Sequence, residues 1–70
     1  MEIKLRSVSD VYDFIEVAQQ HASKVILSQG TYTVDGQSIL GVFALDLRNP
    51  IQCSVADNDY RNFERFANKV

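Results

Sequence analysis

Val11, Phe14, Ile15 and Ala18 fall at i, i+3, i+4 and i+7, the one-sided apolar stripe of an amphipathic helix. Such a helix cannot stand alone; its stripe has to be buried against another element. The flanking residues supply one. Before it, "EIKLR" at 2–6 alternates polar and apolar, with Ile3 and Leu5 on one side, the pattern of a half-buried strand. After it, "KVILSQ" at 24–29 is compact and β-branched and reads as a second strand. The chain is therefore expected to pack single-faced helices onto a sheet.

The remaining segments extend this reading. "SVSD" before the first helix is a run of capping residues, and Asp10, Asp13 and Glu16 sit in its first half, where negative charge suits the helix dipole. His21 and Lys24 lie at or past its end. "QGT" is a turn, with Gly30 able to take positive φ, and "TYTV" is its hairpin partner. "DGQS" makes a second turn and ends at Ser38, an N-cap for an apolar helix over 39–46. Pro50 ends that helix. "IQCSV" alternates Ile51, Cys53 and Val55 as a fourth strand. "ADND" caps a last helix with the stripe Tyr60, Phe63, Phe66, Ala67 and Val70.

The order is β-α-β-β-α-β-α in a single domain over 1–70. The simplest packing is an α+β two-layer, open-faced sandwich: a four-stranded antiparallel sheet with three helices on one face and water on the other. A ferredoxin-like split βαβ, with the third helix as an appendage, is the competing arrangement. Seventy residues bury only about 60% of the unfolded surface, too thin a core for elaborate buried machinery, so the expectation is a protein that is not an enzyme. A formal net charge of −2 with scattered basic residues gives no field for nucleic acid or an anionic membrane. The sequence has no transmembrane run and no signal-peptide pattern, which makes the cytoplasm the expected location. One cysteine excludes an internal disulfide and a multi-cysteine zinc site. "DND" at 57–59 lacks the further ligands of a calcium loop, and the three glycines form no phosphate-binding pattern. No metal and no cofactor are expected.

The element order, together with "GTYTVDGQSILGVFALDL", "DFIEVAQQHASKVILS" and "VADNDYRNFERFANKV", resembles the histidine-containing phosphocarrier family of the bacterial sugar phosphotransferase system, HPr, nearly end to end. Members of that family carry a G-x-H-x-R-P signature at the start of the first helix, where the histidine takes a phosphoryl group. This chain has "RSVSDVYDF" there. Counting back from Phe14 without a gap, Ser7 stands at the histidine position, Ser9 at the arginine and Asp10 at the proline. The resemblance thus implies an HPr-like fold without the phosphocarrier's acceptor.

It implies more for the helix at 39–46, which has Ile39, Leu40, Val42, Phe43, Ala44 and Leu45, more than one buried face needs. By resemblance Ile39, Leu40 and Phe43 match the positions with which HPr docks its partners, while Val42 and Leu45 point to the core. Ser38 matches the regulatory phosphorylation site of HPr in many Gram-positive bacteria; its structural role is the cap, worth about 1 kcal/mol. His21 lies at a helix C-terminus, where a phosphorylated ring is disfavoured. Ser7 and Ser9, beside Arg6, have no neighbouring base to make them nucleophiles and read as caps. Cys53 reads as an inert core residue. The resulting expectation is a regulatory module that binds protein partners, phosphotransferase-system components or a second copy of itself. The alternatives are a phosphocarrier with a non-standard acceptor, or a small-ligand-binding or self-associating domain of similar topology.

Overall fold

The computed structural model describes residues 1–68. Its elements are β1 (Glu2–Ile3), α1 (Val8–His21), β2 (Ile26–Gln29), β3 (Tyr32–Asp35), α2 (Ile39–Phe43), β4 (Ile51–Ser54) and a 3-10 helix (Asp57–Phe66). The four strands form one sheet in the order β1-β4-β2-β3, and every pairing is antiparallel. This is the open-faced layout read from the sequence. The ferredoxin-like alternative fails on strand order: it would place β1 inside the sheet between β4 and β3, whereas here β1 is an edge strand and β4 lies between β1 and β2.

The register explains which face is buried. Val34 lies opposite Leu27, and Leu27 opposite Cys53. Directly opposed residues share a face, so this row, with Ile3 and Ile51, points under the helices. Leu27, Cys53, Ile3 and Ile51 are all buried there with Val11, Phe14, Ala18, Val42, Phe63 and Phe66 from the helices. The alternate row, Glu2, Gln52, Ser28 and Thr33, is polar and carries no helix. The four stripe residues of α1 are the four buried residues of that helix.

The β2–β3 hairpin turns on Gly30 and Thr31, and Gly30 has φ 59°. Glycine at the first central position of a two-residue loop is the type II′ arrangement. At the sheet's other margin, Lys4 N–H donates to the Phe66 carbonyl, Asn68 N–H donates to the Glu2 carbonyl, and Ile3 bridges Ala67. The chain's last described residues thereby cover the outer edge of β1.

Three sequence expectations need correction. The first strand keeps only Glu2–Ile3, because the chain turns away to enter α1, although Leu5 remains buried. The second helix stops at Phe43, with Ala44 as its C-cap, rather than running to 46. The last helix is a 3-10 helix, and its N-cap Ala56 gives no side-chain bond. Tyr60, Phe63 and Phe66 stand three apart, which aligns them on one side at three residues per turn; a 3.6-residue turn would rotate them apart. Phe63 and Phe66 are buried, but Tyr60 remains 42% exposed. Val70, the last stripe residue expected, lies outside the described residues.

Candidate functional site

The start of α1 is capped in part by its own residues. Ser7 is the N-cap, and its Oγ accepts from Asp10 N–H at 3.1 Å. The Asp10 carboxylate reaches back and accepts from Arg6 N–H at 2.9 Å. The pair has the Ser-x-x-acid spacing of a capping box, but the carboxylate takes the N–H of Arg6, one residue before the cap, instead of that of Ser7. The free N–H groups of a helix N-terminus are what make it attractive to an anion. Here a carboxylate of the chain itself lies against that terminus, and the Ser7 hydroxyl is committed to the cap. Ser9 is exposed in the first turn of the helix.

His21 is the last residue of α1 and is exposed, so the whole helix separates it from Ser7. Its contact is through the backbone, where the carbonyl accepts from the Asn62 side-chain amide at 3.4 Å. Ser38 is the N-cap of α2, with its Oγ accepting from Gly41 N–H at 3.2 Å.

The outward face of α2 is narrower than the resemblance implied. Leu40 is 80% exposed and Phe43 is 41% exposed, but Ile39 is half-buried against the core. Val42 and Leu45 are buried, as expected for the inward side. The apolar surface extends instead onto α1. Tyr12 is exposed and its ring meets Phe43 edge-on, with centroids 6.3 Å apart. One turn earlier, Val8 is also exposed.

Val8 borders a cleft of about 450 Å³ whose walls also include Lys4, Leu5, Arg6, Ser7, Leu47 and Arg48. Leu5, Val8 and Leu47 give it an apolar floor, and three cationic residues give it a basic rim. The Lys4 ammonium donates to the carbonyls of Leu47 and Arg48, which ties the end of β1 to the loop after α2. Arg48 is held by Asp46, with Nε to Oδ1 at 3.0 Å and Nη2 to Oδ2 at 3.1 Å. The Arg48 side chain and N–H, with Asn49, hold the Asp46 carboxyl down at about 2, and the same pairing raises the Arg48 guanidinium. A smaller cleft of about 280 Å³ on the other side of the α1 N-terminus includes Lys4, Arg6, Asp10, Asp13 and Arg65. The Arg65 guanidinium there lies over the Phe66 ring, 4.8 Å from its centroid.

Four of the basic residues converge here, interleaved with the carboxylates of Asp10, Asp13 and Asp46. Lys4, Arg6, Arg48 and Arg65, four of the chain's seven, gather around one end of α1 because the topology places β1, the α2–β4 loop and the end of the 3-10 helix there. No spacing in the sequence announces this convergence. The Ser7–Asp10 cap was legible as a capping pattern.

Cys53 is buried on the sheet, and burial pushes its thiol up to about 11, which suits an unreactive core residue. Asp57 and Asp59 stand in the first turn of the 3-10 helix. Among the described residues there is no group of three or more His, Cys, Asp or Glu side chains placed to hold a metal ion, and no helix is long and apolar enough to cross a membrane. Compared with protein-family models, curated proteins and solved structures, the chain matches none of them.

Proposed function

We propose that this chain is an HPr-like, non-enzymatic module that binds a protein partner and does not carry phosphate on histidine. The observation that carries the reading is that the Ser7 hydroxyl is taken up as the cap of α1 with the Asp10 carboxylate beside it. By the resemblance, Ser7 takes the position of the phosphocarrier's histidine, and the Ser7 hydroxyl and the Asp10 carboxylate are both engaged with backbone N–H groups at the start of α1. A carboxylate beside that terminus repels an incoming phosphoryl group, and the Ser7 hydroxyl serves the cap.

The binding half of the reading rests on the surface beside it. Leu40, Phe43, Tyr12 and Val8 are exposed large side chains on two adjacent elements, and the last of them opens into the cleft with the basic rim. An apolar centre with a charged margin is the ordinary anatomy of a protein interface. The partner, on this reading, is a phosphotransferase-system component or a protein it regulates, met in the cytoplasm.

The test is incubation with phosphoenolpyruvate and the first enzyme of the phosphotransferase system, followed by intact mass measurement, with an authentic HPr as the positive control. The expected result is an unmodified chain whose amide resonances at Val8, Tyr12, Leu40 and Phe43 nevertheless shift when that enzyme is added. Phosphate transferred to His21 or Ser7 at the control's rate would replace this reading with that of a carrier using a non-standard acceptor.

A further inference from the structure

The sheet has two margins, and they are finished differently. The outer edge of β1 is covered by Phe66, Ala67 and Asn68. The outer edge of β3 is bare among the described residues. Tyr32 and Thr33 are exposed, Tyr32 to 69%. Exposed edges are commonly guarded by lysine, proline or a bulge. β3 reads Tyr-Thr-Val-Asp, and its register with β2 runs unbroken from Gln29–Tyr32 to Ile26–Asp35; it has no lysine, proline or bulge, and its guards are its four-residue length and one charge, Asp35, at its far end.

The hairpin fixes which backbone groups are free. In a two-residue hairpin the residues flanking the loop form a hydrogen-bonded pair, and such pairs alternate along the ladder. The backbone N–H and C=O of Tyr32 and Val34 therefore point toward β2, and those of Thr33 point outward. The Asp35 carbonyl is already used, accepting from Ser38 N–H at 3.1 Å, while its N–H is not bonded to β2.

We propose that β3 pairs with β3 of a second copy, antiparallel, about a twofold axis at Thr33. This register follows from the residues. It lets the two Thr33 backbones exchange both hydrogen bonds, and it lets each Asp35 N–H reach the carbonyl of Thr31 in the other copy. On the helix-bearing face it sets Tyr32 across from Val34, an aromatic–β-branched pair. On the open face it sets Thr33 across from Thr33. Both are favourable cross-strand pairs. No like charges oppose one another, because Asp35 faces Thr31. The polar row Glu2, Gln52, Ser28, Thr33 then continues unbroken into its copy, as one eight-stranded sheet. The inference is independent of the proposed partner-binding face on α1 and α2.

So short an edge belongs to the small, weak interface class, so the test needs concentrations up to about 1 mM. Sedimentation equilibrium of the unaltered chain is expected to show average mass rising from monomer toward dimer across that range. Amide exchange at Thr33 is expected to slow over the same range, a readout that requires no variant. Thr33→Lys and Thr33→Glu each place like charges face to face and should abolish dimerisation with unchanged circular dichroism, because Thr33 is exposed. An equimolar mixture of the two should restore it. The proposal is overturned if the unaltered chain stays monomeric at about 1 mM, if the dimer persists in Thr33→Lys, or if the mixture remains monomeric. It is overturned equally if Leu40→Ser disrupts the dimer and Thr33→Lys does not, which would put the second copy on the helix face.

Discussion

The carboxamide of Gln29 closes a two-way hydrogen bond with the backbone of Asp46: Nε2 donates to the Asp46 carbonyl at 2.8 Å, and Oε1 accepts from the Asp46 N–H at 2.8 Å. The same amide lies within reach of the carbonyls of Asn49 and Pro50. One side chain at the end of β2 thus holds the whole loop between α2 and β4, which is also the loop that supplies Leu47 and Arg48 to the basic cleft.

Gln29→Ala leaves the Asp46 N–H and a cluster of carbonyls without their protein partner. The expected cost is about 1–3 kcal/mol, read as a lower urea midpoint with an unchanged slope. Gln29→Glu should be worse than a conservative change suggests. It removes the donor and turns a carboxylate toward three carbonyl oxygens. A Gln29→Ala midpoint within error of the unaltered chain would mean that the loop is held by its other contacts.

Gln29 also shows where sequence reading stops. The inward and outward positions of α1, of 2–6 and of β4 were legible because apolar spacing maps directly onto burial. Gln29 reads only as a polar residue near a turn, and its partners lie as far as 21 positions away. Gln37 is similar: its amide donates to the Ala18 and Ala22 carbonyls at 2.8 and 2.9 Å, finishing the end of α1. The gathering of Lys4, Arg6, Arg48 and Arg65 was hidden for the same reason, since it is a product of topology. The length of α2 was misread because its apolar run continues past the point where the helix ends; Leu45 is buried from the turn after it.

The last helix offers a direct test of its three-residue period. Phe63 is fully buried and its ring lies 5.4 Å from that of Phe14, so Phe63→Ala is expected to cost about 3–5 kcal/mol. Tyr60 is on the same side but 42% exposed, and Tyr60→Ala should cost less than about 1 kcal/mol. Equal costs in a denaturant titration would show that Tyr60 is packed as deeply as Phe63.

The Asp46–Arg48 pair sets an acid limit on the loop. Asp46 titrates at about 2 in the folded chain against 3.8 for the ordinary group. A carboxyl whose folded value is the lower one contributes stability above its unfolded value, and loses it as pH falls through the folded one. The contribution is therefore present above about pH 4 and should fade toward pH 2. Both groups are exposed, so it is expected to shrink with added salt. Carbon-detected titration of the Asp46 carboxyl checks this. Arg48→Ala should raise its midpoint toward 3.8, and an unchanged midpoint would show that the backbone, not the guanidinium, holds it down.

The outward and inward sides of α2 should separate stability from association. Leu45 is 6% exposed and Phe43 is 41% exposed, with its ring edge-on to Tyr12 at 6.3 Å. Leu45→Ser removes a core side chain and leaves a hydroxyl in its place, so it is expected to cost at least the 2–5 kcal/mol typical of truncating a buried leucine. Phe43→Ser exposes part of Tyr12 but opens no closed cavity, and should cost about 1 kcal/mol. The partner's response should run the other way. Exposed aromatics at the centre of an interface carry much of its binding energy, so on the proposed reading Phe43→Ser should remove the amide shifts expected at Val8 and Leu40 on adding the phosphotransferase enzyme, while Leu45→Ser at permissive temperature should keep them. Thermal melts showing Phe43→Ser to be as damaging as Leu45→Ser would assign Phe43 to the core. That result would leave Leu40 and Tyr12 too isolated to form a docking face.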